Sequence, residues 1–278
     1  MISRQELLER DQADELAFCR DRFSIPEGTV YLDGNSLGVL PKQVVSSVSD
    51  VVSHQWGVDL ISSWNKHGWI EMAQRVGDGI GALIGAAPGQ VVCTDSISVN
   101  LFKVLGAAKS LQPDRRVVLS TVDNFPTDLY MVQGLSRLLG EHEIELQLVE
   151  EGELSDHINE SVMAIMVSHV NFRTGALLDM LDLTERAHHA GALAIWDLAH
   201  SAGALEVELD ACHVDFAVGC TYKYLNAGPG APAFVYCNQA IVQQVTQPLS
   251  GWMGHAFAFE FDSNYTPDAG IKKFLCGT

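Results

Sequence analysis

The sequence predicts an α/β fold in which a mainly parallel β-sheet carries helices on both faces. Through the middle of the chain, short apolar runs of strand length alternate with longer segments of helical periodicity, a pattern typical of β-α-β units. Polar or titratable residues, namely Ser168, Asp197 and Lys223, stand where three of these runs end. Ligands of open α/β sheets bind outside the carboxyl ends of the strands. We therefore expect a binding site along that edge of the sheet.

The individual elements follow from the spacing of the apolar residues. In chain order, the apolar runs predict strands at Arg116–Ser120, Glu145–Val149, Met163–Ser168, Leu193–Asp197, Phe216–Gly219 and Ala233–Tyr236. The helical patterns predict helices at Pro41–Trp56, Trp69–Ile84, Val99–Leu111, Thr127–Leu139, Leu181–Ala190 and Ala240–Val245. The charged N-terminal segment also shows helical periodicity.

The composition is that of a globular enzyme. Of 278 residues, 47% are hydrophobic and 19% are charged, a balance typical of folded domains with a sizeable core. The formal net charge of -18 repels nucleic-acid backbones and anionic lipid, so neither is an expected partner. An anionic cofactor remains compatible with this charge, because backbone amides can bind phosphate locally in an acidic protein.

The cysteines and the N-terminus indicate the compartment. The six cysteines lack CxxC spacing and any paired framework, which predicts reduced thiols rather than a disulfide scaffold or a zinc site. The N-terminal segment is charged throughout and has no apolar core of a signal peptide. We expect a cytoplasmic protein.

Lys223 is the first candidate for chemistry. It follows the apolar run that ends at Gly219 and precedes the turn Gly228–Gly230. A lysine amine at a strand end beside a glycine-rich turn suits a Schiff base, provided that part of it is deprotonated. The alternative is an ordinary surface lysine in a loop.

Two further segments favour the chemical role for this lysine. Asp197 directly follows an apolar run and lies one β-α-β step before Lys223; such a carboxylate can keep a cofactor ring nitrogen protonated, or it can cap the next helix. The segment Cys93–Asn100 is a polar turn that leads into a helix. The free amides at that helix N-terminus suit a phosphate, with the Ser98 hydroxyl beside them, although simple capping also explains the segment. The sequence has no GxGxxG or Walker motif, so a nucleotide cofactor is not predicted.

In combination, these segments supply a phosphate anchor, a ring-nitrogen partner and a lysine, in the order typical of fold-type I pyridoxal 5′-phosphate (PLP) enzymes. More narrowly, the chain resembles the kynureninases from Tyr31 to its last residue. The motifs that carry the resemblance are Tyr31–Gly38, Asn124–Asp128, Trp196–Gly203 and Tyr222–Gly230. The resemblance implies a mainly parallel seven-stranded sheet of the aspartate aminotransferase-like type.

The resemblance also implies PLP as the cofactor and a set of residues around it. That set is Ile97, Ser98, Phe125, Pro126, Thr127, Asp128, Ser168, Asp197, His200, Tyr222, Lys223, Trp252 and Thr278. Ile97 and Ser98 would hold the phosphate, Phe125 would stack on the ring, and Asp197 would meet the ring nitrogen. Lys223 would carry the cofactor.

Other members of the set have a less direct part. Tyr222 and Trp252 would help to fix the phosphate, and Thr278 would reach it from the partner subunit of a homodimer, as Trp252 also would. Phe125 and Trp252 can alternatively be read as core aromatic residues, although Trp252 has the glycine-rich setting of a loop.

The implied domain organisation is an N-terminal arm, 1–45, and a large PLP-binding domain, 46–278. Relatives of this kind continue into a C-terminal small domain that holds an arginine for the substrate's α-carboxylate, and neither Lys272 nor Lys273 is an evident replacement. We therefore expect a truncated chain that binds cofactor better than it turns over substrate.

The implied reaction is the hydrolytic cleavage of L-kynurenine or its 3-hydroxy form to the corresponding anthranilate and alanine, a step of tryptophan catabolism and NAD biosynthesis. Lys223, Tyr222 and Asp197 would be catalytic, and His67, Asn65 and Ser36 are weaker candidates for choosing between the substrates. Two alternatives stay open: a cysteine desulfurase-like enzyme, which the Tyr222-Lys223 pair disfavours because a His would precede the lysine, and a non-catalytic remnant.

Overall fold

The computed structural model describes residues 2–140 and 142–277, and its centre is a seven-stranded sheet. The strands of this sheet are β3 (Val91–Cys93), β4 (Val117–Thr121), β5 (Glu145–Val149), β6 (Val162–Ser168), β7 (Leu193–Asp197), β8 (Phe216–Gly219) and β9 (Phe234–Cys237). A separate two-stranded sheet joins β1 (Phe23–Ser24) to β2 (Leu40–Pro41).

The large sheet has the order β3-β9-β8-β7-β6-β4-β5. Strands β5, β4, β6, β7 and β8 pair in parallel, whereas β9 runs antiparallel to both of its neighbours. All seven residues of β6 and all five of β7 are buried, as expected when helices cover both faces of a parallel sheet. The mainly parallel, seven-stranded fold predicted from the sequence is confirmed.

The helices with α geometry are α1 (Arg4–Ala13), α2 (Lys42–Asp50), α3 (Ser63–Lys66), α4 (Met72–Leu83), α5 (Ile97–Leu111), α6 (Pro126–Leu139), α7 (Leu154–His157) and α8 (Met180–His189). Short 3₁₀ turns occur at Ala17–Arg22, Leu60–Ser62, Glu151–Glu153, Trp252–Gly254, Ala258–Glu260 and Ile271–Phe274. Within the described residues, no helix is both long and apolar enough to cross a membrane.

The two faces of the sheet carry different helices. Apolar residues of α4 and α8, such as Ile80 and Leu183, pack on one face, and those of α5 and α6, such as Val104 and Val132, pack on the other. Each buried strand contributes to both layers, because successive side chains point to opposite faces. The predicted arrangement of helices on both faces is therefore confirmed.

Most of the predicted elements agree with the structure to within a few residues, two differ, and one strand was missed. The helix expected at Pro41–Trp56 is α2 continued by a wider π turn, Val51–Trp56. Strand β3 was not predicted. The prediction of a helix at Ala240–Val245 is wrong, because this segment forms turns. The buried ammonium of Lys273 donates hydrogen bonds to the carbonyls of Val242 and Val245.

The sheet places the expected site residues at one edge. Ser168 ends β6 and pairs in register with Asp197, which ends β7, and Lys223 lies just beyond the end of the next strand, β8. The carboxyl ends of parallel strands meet there, which is where open α/β sheets bind ligands. The division of the chain at residue 45 stays a prediction.

Candidate active site

Lys223 is buried in the turn that follows β8, with 7% of its surface exposed. Its Nζ lies 2.7 Å from Nε2 of His200 and 5.7 Å from the centroid of the Phe125 ring. The turn is closed by a hydrogen bond from the Asn226 amide to the Lys223 carbonyl, 3.0 Å. A buried amine with a neutral nitrogen acceptor and an aromatic face beside it is held in a defined place.

The segment 31–38 packs directly on this turn. The amide of Gly38 donates to the carbonyl of Tyr222 at 2.8 Å, and a Cβ on Gly38 would lie 2.1 Å from the carbonyl oxygen of Lys223. The hydroxyl of Tyr31 bonds the carbonyls of Asp33 and Leu37, which keeps the segment compact. Glycine is therefore required at position 38 because two backbone segments approach each other closely there.

Asp197 lies at the end of β7, 3% exposed, and its Oδ1 accepts the amide of Ala199 at 2.8 Å. Burial raises its pKa to about 6, because desolvation disfavours the charged form. The residues after Asp197 form turns, and no helix lies between β7 and β8 in the described chain. The alternative role of a helix cap, and the expectation of a helix in this connection, are thus wrong.

Asp128 forms a buried acidic pair with Asp197. It is 1% exposed, and neither of its carboxyl oxygens has a hydrogen-bond partner among the described residues. Burial and the neighbouring charge of Asp197 raise the pKa of Asp128 well above its usual value. Buried polar atoms without partners are rare in folded proteins, and this pair faces the same cavity as Lys223, which indicates a place for a polar or cationic ligand group.

His200 and Tyr222 flank the lysine. Burial and the nearby Lys223 ammonium lower the pKa of His200 to about 4, so its ring is neutral near pH 7 and Nε2 can accept from Lys223. Burial raises the pKa of Tyr222, so its phenol stays protonated over the same range. The lysine therefore lies between an acceptor and a potential proton donor.

The opposite wall of the site is the N-terminus of α5. Ser96 caps this helix, since its Oγ accepts the amide of Val99 at 3.3 Å. The residues that follow, Ile97 and Ser98, line the cavity at the point where the first amides of the helix have no partner within it. Such a terminus, with a hydroxyl beside it, binds a phosphate well.

These walls enclose a cavity of about 190 Å³. Its lining residues are Ser96, Ile97, Ser98, Phe125, Thr127, Asp128, Asp197, Ala199, Cys220, Tyr222, Lys223, Ala231 and Ala233. The structure thus brings together eight of the predicted site residues, and it adds five others, among them Ser96 and Cys220. Ser96 could have been found as the polar residue before the helix, whereas Cys220 carries no signal beyond its position between strand and lysine.

The remaining predicted residues lie beside the cavity, elsewhere, or outside the described chain. Pro126 begins α6 next to Phe125, and His200 touches Lys223. The hydroxyl of Ser168 donates to Oδ1 of Asn124 at 2.7 Å. Asn124 also takes the Phe125 amide at 2.9 Å, so it fixes this corner of the site, a role that sequence reasoning missed. Thr278 lies outside the described residues.

Trp252 does not line the cavity. It belongs to an exposed aromatic group in which its ring lies 5.9 Å from that of Trp64, 5.6 Å from Phe259 and 5.9 Å from Phe261. Trp252 is 37% exposed. It is therefore a residue of an exposed segment and not a core aromatic residue. Its expected approach to the phosphate from the partner subunit stays a prediction.

The weaker candidates for substrate choice also lie away from the cavity walls. His67 Nε2 lies 2.7 Å from a carboxyl oxygen of Asp59, and Lys66 holds the other oxygen at 2.7 Å. These two donors lower the pKa of Asp59 to about 2. Asn65 is exposed, and Ser36 lies in the compact turn of segment 31–38. Their proposed role in selecting the substrate stays a prediction.

The comparisons with known proteins agree with this geometry. Residues 30–278 match the family model described as aminotransferase class-V. The chain is 47% identical, over 283 aligned residues, to the kynureninases of Pseudomonas fluorescens and of Burkholderia pseudomallei strain K96243; each match covers 100% of this chain and 68% of the relative.

Solved structures share the fold at much lower identity. A C-DES variant with glycine covalently linked to the PLP cofactor superimposes with a TM-score of 0.78 at 17% identity, covering 93% of this chain and 69% of the other. A cysteine desulfurase from Thermococcus onnurineus gives 0.75 at 23% identity, covering 94% and 66%. Such low identities show the fold alone.

Proposed function

Because this chain belongs to the kynureninase family, within the class-V aminotransferases, we propose that it is a PLP-dependent hydrolase of the Cβ–Cγ bond of kynurenines. One molecule of L-kynurenine and one of water would give anthranilate and L-alanine. The observation that carries this proposal is a single cavity that joins a buried lysine, a buried carboxyl pair and a helix N-terminus.

The residues present fit PLP. The N-terminus of α5 with Ser98 would hold the phosphate, Phe125 would lie against the ring, and Asp197 would meet the ring nitrogen. The buried carboxyl pair of Asp128 and Asp197, with two oxygens unpartnered, suits a cationic ring nitrogen. When bound, PLP supplies an electron sink that weakens the bonds at the substrate's Cα.

Asp197 would control the charge of the ring nitrogen. Burial raises its pKa to about 6, and the Ala199 amide and the Lys223 charge offset only part of that rise. A protonated ring nitrogen at this carboxylate would favour the charged form and lower that pKa, because opposite charges at close range stabilise each other strongly in a desolvated site. The carboxylate would in return keep the ring nitrogen protonated.

Lys223 would be the cofactor's covalent partner and then the base that takes the Cα proton. Its Nζ is already 2.7 Å from His200 Nε2, an acceptor that orients the amine without competing for its proton at neutral pH. Tyr222, whose phenol stays protonated, would donate a proton to Cβ, the carbon that takes the electron pair of the broken Cβ–Cγ bond. Acid–base groups of this kind contribute about 10²- to 10⁴-fold each.

Three less direct features belong to the same proposal. We propose a homodimer, supported by apolar side chains left exposed on and after the π turn, among them Trp56 at 62% and Ile61 at 74%; Trp252 would then approach the partner's site. We propose a cytoplasmic location, supported by six free cysteines, all within the described residues. The division into an arm, 1–45, and a PLP-binding domain, 46–278, also stays a proposal.

The activity is tested by adding L-kynurenine and 3-hydroxykynurenine to purified, PLP-loaded protein and following anthranilate fluorescence and alanine release in equal amounts. Lys223→Ala should abolish turnover, whereas the matched variant Lys272→Ala, at an exposed lysine, should retain it. Cysteine is the third substrate in the assay, and sulfide release from cysteine without anthranilate from either kynurenine would contradict the proposal.

A further inference from the structure

Lys103, on the second turn of α5, is a completely buried lysine. Its Nζ donates to Oδ2 of Asp95 at 2.5 Å and to the backbone carbonyl of Phe274 at 2.5 Å. A buried ammonium is costly unless charge and hydrogen bonds satisfy it. Both of its partners lie outside the helix, so this cost is met only if α5, Asp95 and the segment around Phe274 keep their mutual positions.

Asp95 lies in the turn that leads into the helix N-terminus. This residue has a φ of +50°, in the left-handed region that non-glycine residues adopt infrequently. Its side chain also accepts the hydroxyl of Thr94 at 2.8 Å, and its carbonyl accepts the amide of Ala233 at 2.8 Å. The next residue, Ser96, is the helix cap and a wall of the cavity. The Lys103–Asp95 pair therefore holds this turn through two residues that do not line the cavity.

The second partner connects the turn to a distant part of the chain. Phe274 is completely buried at the end of the 3₁₀ turn Ile271–Phe274 and packs in the same apolar layer as α5. Its carbonyl lies 171 residues from Lys103 in sequence. The single ammonium thus joins the start of α5 to the segment that runs on through Leu275 to Gly277.

From this arrangement we infer that Lys103 is a positioning residue for the phosphate of the cofactor. It acts through the 94–96 turn, which it holds in the conformation that points the first amides of α5 into the cavity. The inference rests on the proposed PLP function, because it assigns the phosphate to this helix terminus. Replacing Lys103, a residue outside the cavity, should therefore weaken the binding of the phosphate group and not that of the pyridine ring.

The test compares PLP with pyridoxal, which has the same ring and aldehyde but no phosphate. Binding of each to the apoenzyme is followed by absorbance for the native chain, Lys103→Met and Asp95→Asn. Lys103→Met should lose about ten-fold or more in PLP affinity, equivalent to about 1.4 kcal/mol, with pyridoxal affinity changed less than about two-fold. Lys109→Met is the matched control and should change neither affinity, because Lys109, the other lysine of α5, is partly buried and pairs with Glu143, which does not line the cavity.

Asp95→Asn separates positioning from simple charge. This variant removes a negative charge near the phosphate site, so charge alone would strengthen PLP binding. Positioning predicts the opposite, a loss of about three-fold or more, because a neutral amide forms a weaker bond to the ammonium. The Asp95 side chain is 27% exposed, so Asp95→Asn should fold even if Lys103→Met does not.

The outcomes are distinct. Stronger PLP binding by Asp95→Asn, or an equal loss of PLP and pyridoxal affinity in the folded variants, would overturn the inference and leave Lys103 as a structural residue. Failure of the native chain to bind PLP would instead contradict the proposed function itself.

Discussion

Gly38→Ala is expected to damage the site by displacing the backbone of Lys223, although it removes no side chain of the cavity. The added Cβ would lie 2.1 Å from the Lys223 carbonyl oxygen and 2.9 Å from the Asn226 Cα, whereas ordinary contact begins at 3.4 Å. The nearest neighbour must therefore move by about 1.3 Å, and it is backbone rather than a flexible side chain.

Two costs follow from that displacement. Overpacking at a site of this kind costs about 1–3 kcal/mol of stability. A shift of about 1 Å in a catalytic group costs on the order of 100-fold in rate. We therefore expect a variant that folds, melts several degrees lower, and loses about two orders of magnitude in kcat with a smaller change in KM.

The assay is anthranilate production under saturating PLP, with urea unfolding on the same preparations. Gly134→Ala is the matched control, because this glycine lies inside α6 with nothing within 4 Å of an added Cβ; alanine there should be neutral or stabilising by about 0.5–1 kcal/mol. A Gly38→Ala enzyme with native kcat would show that this close approach does not position the lysine.

Two further predictions concern the buried carboxyl pair. Asp197→Asn should fold, but the rate at which the substrate's Cα proton exchanges should fall by orders of magnitude, because each pKa unit of lost interaction is about 1.4 kcal/mol. The exchange is measured by NMR in D₂O. An undiminished exchange rate would show that this carboxylate is structural. In the apoenzyme, the raised pKa of Asp197, about 6, means that the folded state holds its proton more tightly than the unfolded chain. The stabilisation that this group contributes should therefore fall as pH rises from about 4 to about 6. Over that range, the free energy of unfolding measured with urea should decrease more for the native chain than for Asp197→Asn. Equal decreases in the two proteins would contradict the raised pKa of Asp197.

The parts of the fold that depend on local pattern were predictable. Strands such as β6 are continuous apolar runs, and α5 and α6 show clear helical spacing, so their positions agree to within a few residues. Strand β3 has only three residues and no pattern of its own; it exists because β9 lies beside it. The expected helix at Ala240–Val245 fails because its carbonyls bond to Lys273, a partner that local periodicity does not reveal.

The site divides in the same way. Lys223, Asp197 and Ser98 could be predicted, because each stands at the end of a strand or the start of a helix, where the topology brings such residues together. The Asn124 network, the close approach of Gly38 and the buried Lys103 could not. Each depends on contacts between segments distant in sequence, 44 residues for Asn124 and Ser168 and 171 for Lys103 and Phe274. Trp252 lies away from the cavity within one chain, and its role stays tied to the proposed dimer.

Chemical trapping tests whether Lys223 is the covalent partner of PLP. The PLP-loaded protein is reduced with borohydride and digested, and its peptides are mapped by mass spectrometry. We expect one stoichiometric phosphopyridoxyl group on Lys223, the loss of that group in Lys223→Ala, and its retention in Lys272→Ala. A stoichiometric label on another lysine, or an undiminished label in Lys223→Ala, would contradict it.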